Sequence, residues 1–351
     1  MKPRDYAFAA PRLKAFRVKS LTADQLREIL MASPQDIQRI LREVYYTKGV
    51  EELGDPVSLD MSLRRIYMAT AAFLRKSSPP ESHPIINSMI SRYIGGDVAY
   101  IMTTVIMGGQ IDSSRIASMI YEPGIARLAE IASEENTLDA LVKEIKFLEA
   151  YMDPQKPIML YSSIKEPWSL YWGFHIESAL SMARVLESAS RGDRGSLEPI
   201  MCPRIDYELS ASFLQLSLEE QQYVKKLVEI LKRLYPGMRG CRVTSALIDS
   251  IIDQINTPPA VLSTIQRVPV VGDFFKGKEP LEALLTADVE YRKFMRSRID
   301  YVYSTAPFHP GFVAAVLQLI ELDITDLRIA ALGVLTGVDK TSIKERVSIT
   351  I

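Results

Sequence analysis

Residues 21–26, Leu21-Thr22-Ala23-Asp24-Gln25-Leu26, carry a nearly complete signal for the start of an α-helix. The Thr22 hydroxyl can accept a hydrogen bond from the backbone amide of Gln25, and the Gln25 side chain can reach back to the amide of Thr22. Leu21 and Leu26 occupy the two apolar positions that fix the direction of the entering chain. This stretch therefore predicts a helix that begins immediately after Thr22.

Helix signals of the same kind recur along the chain. Ser33-Pro34-Gln35-Asp36 combines a capping serine, a proline at the first helical position and an early acid. Further amphipathic faces have the i, i+3, i+4 spacing of a helix; they include Ile37–Val44, Leu63–Leu74, Arg115–Ile120, Leu138–Ile145, Val224–Leu231 and Ile248–Ile255. Strict alternation followed by a hairpin turn does not occur. The sequence therefore predicts an all-α fold.

Composition narrows the class of protein. The chain has 351 residues, of which 47% are hydrophobic and 24% charged, and its formal net charge is -1. This near-neutral balance does not favour nucleic-acid binding, which needs a basic surface, and short basic pieces such as Arg296–Arg298 are interpreted as solvated helix faces. No apolar run reaches the roughly 18–20 residues that cross a bilayer. We expect a soluble, intracellular protein whose association with a membrane goes through another protein or a surface contact.

The two cysteines, Cys202 and Cys241, do not form a Cys-x-x-Cys pair. Two cysteines in a chain of this length do not define a disulfide framework. We therefore predict reduced thiols that pack as small hydrophobic side chains.

Proline, glycine and serine divide the chain into groups of helices. The predicted breaks are Lys76–Pro84, Met152–Pro167, Arg191–Pro203, Pro236–Gly240 and Val268–Pro280. Within the first two groups, residues 36–44 and 137–145 align in their apolar positions and in their basic–Glu–apolar endings. This alignment favours repeated helical modules over one irregular domain.

The sequence contains no assembled set of catalytic residues. His83, His175 and His309 are isolated from other metal-ligand or triad residues. Gly95-Gly96 and Gly108-Gly109 lack the Lys-Ser/Thr of a phosphate loop and are interpreted as helix ends. We therefore predict no catalytic, cofactor-binding or metal site. Catalytic residues can be scattered in a sequence, so an all-α metal-dependent hydrolase stays an alternative, as does a generic α-helical scaffold or adaptor.

The C-terminal stretch Glu321-Leu322-Asp323-Ile324-Thr325-Asp326-Leu327-Arg328-Ile329 resembles the end of the C subunit of archaeal-type (A/V-type) rotary ATPases, the relative of the V-ATPase d subunit. That family shows Glu-Ile-x-Asn-Leu-Arg-Ile-Ile followed by Gly-Lys. Leu327, Arg328 and Gly333 match. Asp323 stands for the Glu, Asp326 for the Asn and Val334 for the Lys.

Three other stretches extend the resemblance over most of the chain. Residues 6–15 are similar to the family's opening Tyr-x-x-Ala-x-x-Arg-x-x-Ala, and the helices that follow end on Tyr46, where the family has a tyrosine. Residues 97–101 resemble the family's Asp-Val-x-Asn-Leu, and residues 204–207 resemble a third copy of that motif.

The resemblance implies a funnel-shaped protein of three similar helical modules around a pseudo-threefold axis. We assign residues 1–75 plus the C-terminal helices to the first module, 85–152 to the second and 168–300 to the third, with 305–351 as the helices of the C-terminal motif. It implies a non-catalytic connector on the cytoplasmic face of the membrane, without cofactor. Its partners would be the central shaft and the membrane proteolipid ring, between which it would transmit torque for ATP synthesis or proton transport.

The resemblance also gives candidate structural or interface residues. Arg328 matches a family position, and we predict that it fixes the last helix, with contact to a partner as the alternative. Glu321, Asp323 and Asp326 lie within two helical turns and are its predicted partners.

Overall fold

The computed structural model describes residues 6, 9–47, 55–112, 121–135, 137–219, 221–237, 241 and 245–350. It is 78% helical, with sixteen α-helices and no strand in these residues. The all-α prediction is confirmed. The predicted helix at Arg115–Ile120 lies outside the described residues.

The α-helices, in chain order, are α1 (Ala9–Val18), α2 (Ala23–Met31), α3 (Ile37–Leu41), α4 (Pro56–Ser77), α5 (His83–Ile106), α6 (Pro123–Glu134), α7 (Leu138–Glu144), α8 (Gln155–Ile164), α9 (Pro167–Ser188), α10 (Arg191–Leu216), α11 (Gln221–Leu234), α12 (Ser245–Asp253), α13 (Pro258–Gln266), α14 (Pro280–Thr305), α15 (Pro310–Leu335) and α16 (Lys340–Arg346). Short 3₁₀ helices cover Tyr45–Thr47, Pro80–Ser82 and Ile145–Ala150.

Side-chain caps explain where several helices begin. Thr22 accepts from the Gln25 amide at 3.2 Å and donates its own amide to the Gln25 side chain at 3.0 Å, so the predicted capping box is confirmed. Asp55 caps α4 through the Ser58 amide at 2.7 Å. Such caps satisfy amides that the first helical turn leaves unpaired.

Two of the predicted breaks are wrong. Met152–Pro167 contains α8, and Arg191–Pro203 is the first half of α10. Ser190 caps α10 by accepting from the Asp193 amide at 3.3 Å, and the helix then continues through Pro199 and Pro203. The polar residues of this stretch therefore belong to the start of a helix, and its prolines lie inside that helix instead of in a linker.

The prediction of two reduced thiols is also wrong. Cys202 and Cys241 form a disulfide whose Cα atoms are 5.0 Å apart. The two residues are 39 positions apart, in no recognisable motif, and only the fold brings them together. The bond links α10 to the connection between α11 and α12.

The chain divides into two compact units. The first consists of residues 1–82 and 292–351, and the second of residues 83–291. In the first unit, α15 packs against α1, α2, α3, α4 and α16. In the second, α9 packs against α5, α8 and α10. The three-module organisation with its pseudo-threefold axis stays a prediction.

Within the described residues, every helix is too short or too polar to cross a membrane.

Candidate functional site

The C-terminal motif lies on α15, a helix buried on nearly all sides. Each side chain from Pro310 to Ile324 is buried, and most of those in the following turns are buried as well. Glu321 is 9% exposed, and Asp323 and Asp326 are fully buried. Charged groups in such a position need partners, because burial removes their hydration.

Asp326 is the acceptor for two arginines and for the C-terminal tail. Arg292 Nη1 lies 2.5 Å from Asp326 Oδ1, and Arg296 Nη2 lies 2.8 Å from Oδ2. Ser348 donates its amide to Oδ1 at 2.8 Å and its hydroxyl to Oδ2 at 2.6 Å, and the Ile349 amide donates to Oδ2 at 3.2 Å. One buried carboxylate thus holds α14, α15 and the tail together.

Asp323, one turn earlier, connects the same Arg296 to the N-terminal segment. Arg296 Nη1 donates to its Oδ1 at 2.9 Å. The Leu21 amide and the Tyr46 hydroxyl donate to its Oδ2 at 3.0 Å and 2.9 Å. Residues far apart in sequence therefore meet on two neighbouring carboxylates, and we call Arg292, Arg296, Asp323 and Asp326 the buried ion cluster.

The charges in the buried ion cluster balance, with two carboxylates facing two guanidinium groups. Burial raises the pKa of Asp323, although Arg296 opposes that shift. Burial lowers the pKa of Arg296, but the attraction of Asp323 and Asp326 outweighs it, so the pKa is raised overall. The family motif has a neutral asparagine at position 326. An asparagine there would leave Arg292 and Arg296 with Asp323 as the one carboxylate of the cluster. Asp326 therefore suits this pair of arginines.

The predicted pairing of Arg328 with Asp323 and Asp326 is wrong. Arg328 points away from both, and its Nη1 lies 3.1 Å from Asp60 Oδ1 on α4. The two side chains are 51% and 46% exposed. The acids lie within two turns of Arg328 along the chain, but the helix turns them to its buried side.

Sequence reasoning missed the true partners of the two acids. These partners are Arg292 and Arg296. The prediction that Arg296 belongs to a solvated face is wrong, because its side chain is only 20% exposed. The side chain of Arg292 is 3% exposed. Arg292 and Arg296 are four residues apart, so they share one face of α14. That spacing is the available signal, but it does not tell which face is buried.

The matching glycine, Gly333, has a packing role. A Cβ atom built on it would lie 2.6 Å from Cδ1 of Ile343, which is nearer than real Cβ contacts come. The absence of a side chain therefore lets α16 pack closely on α15. Gly337 ends α15 with φ at +72°, a left-handed conformation that favours glycine.

The two other stretches that resemble the family also contain buried acids. Asp97 on α5 and Asp206 on α10 are both fully buried. Asp97 accepts a hydrogen bond from the Tyr121 hydroxyl. Near Asp206, Arg204 is 1% exposed and donates to Glu208 at 3.0 Å and to the Met89 carbonyl at 3.1 Å.

The described residues contain no group of three or more His, Cys, Asp or Glu side chains that could hold a metal ion. The buried ion cluster has every carboxylate oxygen engaged by a donor. The cluster therefore holds α14, α15, the N-terminal segment and the tail together, a role that we call a structural lock.

Fold and site together define an all-α protein in which helix α15 is held by buried ion pairs. The family model described as the ATP synthase (C/AC39) subunit matches residues 9–346. The chain belongs to this family, and the predicted resemblance to it is confirmed. Membership makes it a subunit of a rotary ATPase. A search of curated proteins found no match.

Proposed function

We propose that this chain is the non-catalytic central-stalk connector of an A/V-type rotary ATPase. In this role it joins the rotor shaft to the membrane proteolipid ring and transmits torque for ATP synthesis or ion pumping. It is a peripheral subunit at the cytoplasmic face, held to the membrane through the ring.

The observation that carries this proposal is the family match over residues 9–346. It covers residues 9–15 of the opening motif, the two internal stretches that resemble the family and the C-terminal helices, so it does not rest on one short stretch. The connector role itself comes from what the resemblance implies about the family.

The buried ion cluster supports the proposal on physical grounds. A part that transmits torque must resist deformation, and dense helix packing with low compressibility provides that resistance. Asp323 and Asp326 add charge-assisted hydrogen bonds between α14, α15, the N-terminal segment and the tail. Such bonds are shorter and stronger than neutral ones.

Arg328 is the candidate interface residue that the structure leaves most accessible. Its exposed pair with Asp60 contributes little to folding, since surface ion pairs are worth about 0–1 kcal/mol. Its guanidinium group can therefore turn to a carboxylate on a partner at small cost. Glu321, Asp323 and Asp326 are buried in this chain, so we propose a structural role for them.

The test is purification of the tagged full chain from its native membranes. We expect the proteolipid and shaft subunits to accompany it. Their absence from a preparation in which the chain is folded would contradict the proposal, and stoichiometric metal in the purified chain would instead favour the hydrolase alternative.

A pair of variants tests the interface role of Arg328. Arg328→Ala should weaken recovery of the partners while leaving thermal unfolding of the isolated chain unchanged. Asp60→Asn is the matched control, because it breaks the same surface pair but keeps the arginine. Equal recovery with both variants would argue against the interface role.

A further inference from the structure

We propose that the Cys202–Cys241 disulfide is a redox-sensitive clamp that controls the order of α11 and α12. In the disulfide form, the bond fastens the connection between these helices to α10. A dithiol reductant opens the clamp and loosens that region of the second unit, and the oxidised dithiol closes it again.

The side of the clamp on α10 is firmly anchored. Two residues beyond Cys202, the buried Arg204 donates to Glu208 at 3.0 Å on its own helix and to the Met89 carbonyl on α5 at 3.1 Å. These bonds remain when the disulfide opens. The position of α10 is therefore maintained without the clamp.

The other side depends more on the bond. The apolar face of α11 packs against α8 and α12, and α12 packs in turn against α13. Lys232 and Asp253 join α11 to α12 in an ion pair whose side chains are 43% and 56% exposed, and exposed pairs hold weakly. The disulfide is the covalent attachment of the α11–α12 connection to α10, so its loss should be felt on this side.

The local structure also suits a bond that can open. Both cysteines are half-buried, so a small dithiol can approach the sulfurs. Access of this kind separates responsive disulfides from deeply buried structural ones.

The exchange reaction is balanced as follows. A thiolate of the dithiol attacks one sulfur, the S–S bond breaks, and the other cysteine leaves as a thiolate that takes up a proton. The second thiol of the reductant then displaces the first cysteine from the mixed disulfide. Two electrons and two protons pass to Cys202 and Cys241, and the dithiol becomes a disulfide.

The test uses the purified full chain, so it does not depend on the proposed rotary role. Because the chain has only two cysteines, thiol titration should find none free without reductant and two after dithiothreitol. Hydrogen exchange in α11 and α12 should then rise about tenfold or more, while exchange in α5 and α15 stays unchanged. Oxidised dithiothreitol should restore the original exchange.

The double variant Cys202→Ser/Cys241→Ser is the control. It should exchange like the reduced chain in both buffers. Free thiols in the unreduced chain, or unchanged exchange in α11 and α12 on reduction, would overturn the proposal. A rise spread over both units would also overturn it, because the clamp would then be a general support of the fold.

Discussion

Replacing Asp326 by asparagine tests whether the buried ion cluster holds the first unit together. The substitution keeps the size of the side chain but removes its charge. Five donor groups point at this carboxylate, from Arg292, Arg296, the Ser348 amide and hydroxyl, and the Ile349 amide. The side-chain amide of the variant would present one acceptor oxygen and one donor group to the same five donors.

The expected cost follows from what the variant leaves behind. Removing one partner of a buried ion pair costs about 3–5 kcal/mol, because the remaining charge stays buried. The side chain of Arg292 is only 3% exposed, whereas Arg296 keeps its bond to Asp323. We therefore expect the lower end of the range, about 3 kcal/mol.

Hydrogen exchange is the suitable assay, since the two units need not unfold together. A loss of about 3 kcal/mol should speed the exchange of the most protected amides in α15 roughly a hundredfold. Both tryptophans, Trp168 and Trp172, lie in the second unit. Tryptophan fluorescence in urea therefore follows the second unit separately and gives an internal reference.

Asp60→Asn is the control because it removes an acid of the exposed pair with Arg328. It should change exchange in α15 by the equivalent of about 0–1 kcal/mol. If Asp326→Asn accelerates exchange no more than Asp60→Asn does, the cluster is not a structural lock and the reasoning fails.

Two further predictions concern packing and pH. Gly333→Ala should destabilise the first unit by about 1–3 kcal/mol, because its Cβ meets Ile343. Measured by hydrogen exchange in α15, the loss in the double variant Gly333→Ala/Ile343→Ala should be smaller than the sum of the two single losses, and a purely additive loss would contradict the packing argument. The hydrogen bond from the Ser342 amide lowers the pKa of Asp339 below its usual value of 3.8, so its contribution to stability is present above that value and is lost as the pH falls through the folded-state pKa. Asp339→Asn should therefore be less stable than the parent chain at neutral pH and equal to it in acid, and a constant difference across an acid titration would exclude this origin.

Local signals make the helices predictable. The Thr22–Gln25 capping box needs only four consecutive residues, and the structure contains it. Signals whose meaning depends on distant residues are easily misread. The interpretation of Gly95 as a helix end is wrong, because Gly95 lies within α5, where a Cβ would meet Phe174 at 3.3 Å.

The ion cluster and the disulfide cannot be read from spacing. Asp323 accepts a hydrogen bond from Tyr46, which lies 277 positions away in the sequence. No local sequence pattern predicts such a contact. The same limit explains Cys202 and Cys241, which are 39 positions apart and are brought together only by the fold. The family resemblance locates the correct helix, α15, but assigns its acids to the wrong arginine.

The long separation between Tyr46 and Asp323 has a consequence for biosynthesis. At roughly 5–20 residues per second, a ribosome needs about 14–55 s to add the intervening 277 residues. During that time the second unit, encoded entirely within the interval, can complete its own core. Residues 1–82 therefore complete their contacts late, because the faces of α1, α2, α3 and α4 that pack against α15 stay uncovered until α15 is synthesised. These apolar faces of the nascent chain therefore need protection from aggregation until α15 has emerged from the ribosome.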